Sequence, residues 1–180
     1  MANTTFSGAV RSENGFQVVS KNTTTGAFTT SFTLDGSGLQ VAPVSVTDSA
    51  VTLTAAAHSG RTVVLDAAAG IAVTLPAATG SGNTYKMFIA TTITSNSTTI
   101  KVVGDDTMAG AAIVANDTDN SASIFETAAD SDTITFNGST TGGIKGATVE
   151  LQDVAADLWS VRVVGAATGT EATPFSATVS

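Results

Sequence analysis

One hundred and eighty residues suffice for one domain, or one with an appendage, and the lack of any Cys excludes disulfides, thiolate metal sites and thiol catalysis. Apolar residues make up 42% and charged ones only 12%, and the abundance of Val, Ile and Thr favours strands over solvent-facing helices. A net charge of -8 argues against nucleic-acid or anionic-membrane partners, and no apolar run reaches the roughly 18 residues that a membrane helix needs.

Residues 1–42 are poor in large apolar side chains. Four of the eight Phe stand there as isolated posts: Phe6, Phe16, Phe28 and Phe32. Between them lie the turn pairs Asn14-Gly15 and Asp35-Gly36 and the polar run Lys21 to Gly26. Such a segment forms short hairpins but does not close a core by itself. It reads as an extended N-terminal arm or small β-subdomain. Its Phe side chains either insert into a partner's pockets or cover an edge of the main body. MANTTFSGAVRSENG has neither a basic start nor an apolar stretch, so a secretory signal is not expected.

Pro43 marks the change to a body spanning 43–180. Val44 and Val46 alternate, as do Val51 and Leu53; Ala55-Ala56-Ala57 and the single His58 then precede Ser59-Gly60 as a turn. Next comes the clearest strand pattern in the chain. Val63 and Leu65, then Ile71, Val73 and Leu75, then Tyr85, Met87 and Ile89 occupy alternate positions, as strands with one buried face require. Phe88, on the opposite face of the third strand, implies cover on both sides. Pro76 ends the second strand, and Gly80-Ser81-Gly82-Asn83 supplies a return. A strand about Ile100 to Val103 stops at Gly104-Asp105-Asp106, and Met108 to Val114 fits either strand or loop. Ala122 to Ala128 reads as a strand with Ile124 inward, or as a short helical turn. Ile134 and Phe136 run into Asn137-Gly138, the strongest hairpin signal in the chain. Val149 and Leu151 alternate, then Trp159, Val161 and Val163, before a turn-rich tail anchored by Phe175.

Strands separated by turn signals at intervals of roughly 8 to 12 residues indicate an all-β fold, an antiparallel β-sandwich or jelly-roll-like body. No strict repeat is present, so a solenoid or β-helix is not expected.

The chemistry on offer is thin. His58 is the one general base for neutral pH, but no G-x-S-x-G elbow accompanies it, and its surroundings read as a turn or surface position. The acidic pairs are Asp105 with Asp106, Asp117 with Asp119, Asp130 with Asp132, and Asp153 with Asp157. Two carboxylates could serve a glycosidase and three could hold calcium. Each pair lies beside turn residues, where solvated Asp stabilises the backbone locally. Asn116-Asp117-Thr118-Asp119-Asn120 opens like a calcium loop but lacks the Gly and the closing Glu. No phosphate loop is present, and one Trp and one Tyr make a poor sugar platform. These readings assign no catalytic, cofactor-binding or metal residue, and no enzymatic activity.

Asn3 to Phe28 (NTTFSGAVRSENGFQVVSKNTTTGAF) resembles the opening of virion proteins of tailed bacteriophages, particularly marine and cyanobacterial ones. Gly60 to Ile89 and Asn137 to Ala177 are similar to capsid decoration, or cement, proteins of the same group. The resemblance implies a virion protein on the outer surface of an icosahedral head, made in the bacterial cytoplasm. It would bind the major capsid protein, commonly as a homotrimer, and hold neighbouring shell subunits together. On that reading the capsid contacts are Phe6, Arg11, Phe16 and Phe28, with Arg11 available to pair with a shell carboxylate. Similar openings occur in tail-fibre proteins, so a receptor-binding or adhesion component of the virion is the alternative.

Overall fold

The computed structural model describes residues 16–35 and 38–178. The chain divides into two compact units, Met1–Ala42 and Pro43–Ser180.

In the first unit, β1 (Phe16–Lys21), β2 (Phe28–Asp35) and β3 (Gly38–Gln40) form an antiparallel sheet in that order. The polar run becomes the β1–β2 turn. Asn22 closes it, because its side-chain oxygen accepts from the backbone N–H of Thr24 and Thr25 at 2.9 and 3.0 Å. Lys21 pairs across the hairpin with Phe28, and its Nζ lies 5.6 Å from the centre of that ring.

The body is an all-β sandwich of two sheets. Its first six strands are β4 (Val44–Val46), β5 (Ala50–Thr52), β6 (Thr62–Leu65), β7 (Ala72–Thr74), β8 (Thr84–Ile89) and β9 (Thr98–Lys101). These alternate between the sheets: β4, β6 and β8 lie side by side and parallel in one, β5, β7 and β9 in the other. Residues 44–101 therefore coil as three successive rungs, without the sequence repeat that usually marks such a coil. The remaining strands are β10 (Thr107–Ala115), β11 (Ala122–Glu126), β12 (Thr133–Phe136), β13 (Thr148–Ala155), β14 (Leu158–Ala166) and β15 (Phe175–Ser176). They complete a seven-stranded sheet, β11-β10-β14-β13-β8-β6-β4, and a five-stranded sheet, β15-β12-β9-β7-β5. Pairing is thus mixed rather than wholly antiparallel. Alternation of apolar residues reports which face of a strand is buried, not the direction of its neighbour, so parallel rungs leave no mark in the pattern.

The inner faces meet in one core. Val63, Leu65, Val73, Leu75, Tyr85, Met87 and Ile89 are all buried, as their spacing requires. Trp159 is fully buried and meets the Tyr85 ring edge-on, centroids 5.7 Å apart. Val161 and Val163 continue its face, and Phe136 and Ile134 close the core from the other sheet. A four-residue helical turn, α1 (Ala55–His58), interrupts the strands, where Thr54 caps it by accepting from Ala57 N–H at 3.4 Å.

Two local readings change. Ile124 points outward and is 67% exposed, while Phe125 packs against the core. The ladder with β10 decides this, pairing Ile124 with exposed Ile113 and Phe125 with buried Ala112. One residue of register reverses every side chain of a strand. Replacing Phe125 by Ser should lower the unfolding free energy of dilute protein by about 1–2 kcal/mol, and Ile124 by Ser less than about 0.5 kcal/mol. Urea titrations of the two variants check the assignment. Asn137-Gly138, for its part, does not join two paired strands. β12 pairs with β9 and β15, and β13 lies in the other sheet. The Asn137 side chain instead accepts from Ser139 and Thr141 N–H at 2.9 and 3.1 Å, starting a tight loop closed by the Ser139–Gly142 bridge.

Candidate functional site

Polar groups of the body gather at a helical turn, around several carboxylates and on one sheet face. The first is the turn of His58, which is 8% exposed and so is not a surface residue. Its Nδ1 accepts from the backbone N–H of Thr54 at 3.0 Å, which fixes the imidazole across the helical turn. The ring thereby serves as the closing bolt of α1.

The second place holds the carboxylates. Asp105, Asp106, Asp130 and Asp132 line a depression of about 160 Å³ with Gly104 and Thr107. Asp106 and Asp132 are buried rather than solvated, and both tie the backbone. Asp106 accepts from Ala78 N–H at 2.7 Å, and Asp132 from the Thr133 hydroxyl at 2.7 Å and from Thr178 N–H at 2.8 Å. In the β10–β11 loop, Asp119 accepts from Ser121 N–H at 2.8 Å, and Asp117 reaches Gly169 N–H at 3.1 Å. Among the described residues, no group of three or more His, Asp or Glu is placed to hold a metal ion.

Asp153 is the most heavily used of these groups. It is 3% exposed, and residues Thr79 to Ser81 wrap its carboxylate. Oδ1 accepts from Thr79 and Gly80 N–H at 3.0 and 2.6 Å, and Oδ2 from Ser81 N–H and hydroxyl at 3.0 and 2.6 Å. Burial pushes its pKa up, but the donors of Ser81, Thr79 and Gly80 outweigh that and hold it far below the usual carboxylate range. The charge is felt by Tyr85, whose pKa is raised first by burial and then by Asp153. The Gly-Ser-Gly cluster is thus an anion cradle filled by the chain's own carboxylate. A signal for it existed: Asp153 falls in the inward phase of Val149 and Leu151, where an unpaired acid is costly.

The third place is the solvent face of the seven-stranded sheet. Glu150 sits between two cations on neighbouring strands, 2.9 Å from Arg162 and 3.5 Å from Lys86. Together with Thr84, Gln152 and Ser160 they line an open depression of about 440 Å³. Charged side chains directly opposite one another across a ladder are mutually stabilising, though weakly at this exposure.

Of the capsid-contact candidates, Phe6 and Arg11 lie outside the described residues. Phe16 opens β1, and its side chain is likewise outside them. Phe28 is described: its ring is 67% exposed beside Lys21, on the first unit. Comparison with known protein families, with curated proteins and with solved structures returns no match to this chain.

Proposed function

We propose that this chain is a virion structural protein, a capsid decoration or cement protein that binds the outside of an icosahedral head and bridges major capsid subunits. The observation that carries the reading is Phe28. A Phe ring left two-thirds exposed on a small three-stranded unit, with a cation beside it, supports the reading, because an aromatic side chain of this kind suits a partner's pocket. The resemblance of Asn3 to Phe28, Gly60 to Ile89 and Asn137 to Ala177 to decoration proteins points the same way. So does the use of the body's buried carboxylates as backbone ties, which suits a rigid mass acting by shape. Many copies at capsomer junctions then resist internal pressure by multivalency rather than by any one tight contact.

The test is binding to expanded, undecorated heads, read as a shift in head mobility and as copies per head on a stained gel. The full chain should coat heads in proportion to their capsid subunits. Phe28→Ala should need at least about tenfold more protein for half-coating. Coating by the variant at unchanged concentration removes Phe28 from the contact. No coating by the full chain, with a few copies per virion found in the tail, favours the receptor-binding alternative.

A further inference from the structure

Rows of residues in register across the seven-stranded sheet show a pattern that a single copy does not use. One row on the solvent face runs Ile124, Ile113, Val164, Thr148, Phe88, Val64, from β11 to β6. Its first three members are 67%, 42% and 42% exposed, and Phe88 and Val64 are half-buried. The next row runs Glu126, Ala111, Arg162, Glu150, Lys86, Thr62, and the third Ala109, Ser160, Gln152, Thr84. Unpaired apolar rows of this kind mark contact surfaces.

We propose that this face docks on the same face of a second copy, about a two-fold axis that runs along the strands between β13 and β14. That operation sets each strand over its mirror position in the sheet order, β14 over β13, β10 over β8 and β11 over β6. The apolar row and the two central positions of the charged row then meet compatible partners, while Lys86 lies over Ala111 and Glu126 over Thr62 at the rim. Val164 lies over Thr148 of the second copy, Ile113 over Phe88, and Ile124 over Val64, so the exposed aliphatic half of the row covers the aromatic half. In the charged row Arg162 lies over Glu150 and Glu150 over Arg162. In the third, the Ser160 hydroxyl lies over the Gln152 amide. An isologous contact requires this self-complementarity, in which residue i meets j and j meets i.

Charge favours the pairing as well. The chain carries -8, which drives copies apart, yet these rows hold two cations and two carboxylates and so are neutral. Stacked sheets lie about 10 Å apart, a gap that an Arg and a Glu reaching toward each other span. Six strands at about 4.8 Å, covered over roughly 20 Å of their length, give about 600 Å² per copy, at the lower end for a specific complex. The two-fold pairing departs from the homotrimer that the resemblance implies, but it does not depend on where the protein binds, so its failure leaves the capsid reading intact.

The test uses full-length protein in analytical ultracentrifugation. Wild type should sediment as a dimer whose affinity falls with salt. Arg162→Glu sets Glu against Glu across the axis, and Glu150→Arg sets Arg against Arg, so each variant alone should associate at least about tenfold more weakly. Mixed one to one, they should recover a dimer containing one copy of each, because both cross-axis pairs are then opposite in sign. A role confined to the ion pair within one copy predicts no such recovery. Both side chains are solvent-facing, and unchanged circular dichroism and melting of the dilute variants establish that they fold. As a second route, Ile124→Lys should also weaken association about tenfold. A wild type that stays monomeric at high concentration, a trimer, or single variants that do not recover on mixing overturns the proposal.

Discussion

Asp153→Ala should destabilise the protein by about 3–4 kcal/mol at neutral pH. Truncation leaves the N–H groups of Thr79, Gly80 and Ser81 without their acceptor in a part-buried loop, and the Ser81 hydroxyl with them. Each bond to a charged acceptor is worth about 1.5–3 kcal/mol, but they share one carboxylate and water re-enters the loop, so they do not add. Asp153→Asn should recover little, since its amide nitrogen would face a donor on one side of the cradle. Urea denaturation gives the free energy, and hydrogen exchange of the 79–83 amides should quicken in both variants.

The pH dependence has a definite sign. The folded pKa of Asp153 lies below the ordinary value of 3.8, so the stabilisation is fully present at higher pH, where both states are ionised. As pH falls through about 4 the unfolded chain takes up the proton first, and the contribution fades toward the folded pKa. The gap between wild type and Asp153→Ala should therefore stay level from about pH 7 to 5 and narrow below about pH 4. A gap that widens on acidification would contradict the cradle.

Gly138→Ala should cost about 3–5 kcal/mol for the addition of one methyl group. Gly138 has φ 78°, and a Cβ built there would lie 1.8 Å from the carbonyl oxygen of Ile93. The neighbour is backbone and cannot swing away, and the same segment is held by Ile93 N–H donating to Gly143 O at 3.1 Å. Gly60 is the control. It has φ 70° but nothing within 4 Å of the added carbon, so Gly60→Ala should cost only about 1 kcal/mol. Thermal melts of the pair separate backbone strain from contact. Equal shifts would mean that the 137–143 loop moves freely off the Ile93 segment.

Gly138 also shows how the pattern of residues can be right about a turn and wrong about its purpose. Asn-Gly reports a backbone with φ > 0, which this loop has, but a two-residue hairpin needs the following strand to return beside the first. Whether it does depends on Val149 and Leu151 finding a better partner, and β8 in the other sheet offers Met87 and Tyr85 opposite them. Ile124 and Phe125 make the same point for burial: both are apolar, and only the ladder with Ala112 and Ile113 chooses between them. His58 reads as a turn residue from its neighbours, and Asp153 as one from its pairing with Asp157, although Asp153 also keeps the inward phase of Val149 and Leu151. Asp153 is tied down by another segment, Thr79 to Ser81, which brings donors to it, whereas His58 is held within its own helical turn by the N–H of Thr54.

What the amino-acid order determined by itself was the all-β class and the inward faces of β6, β7, β8 and β14. Period-two alternation, Thr-rich composition and turn residues are local properties, and each strand carries its own copy of them. Only the tertiary structure decided the parallel rungs of residues 44–101, the filling of the Gly-Ser-Gly cradle by Asp153, and the apolar and charged rows that cross six strands. Those depend on which strand lies beside which, and residues as distant as Glu126 and Thr62 become ends of one row only when the ladders form. The pairing free energy is spread over the whole sheet, so no short stretch of sequence announces it.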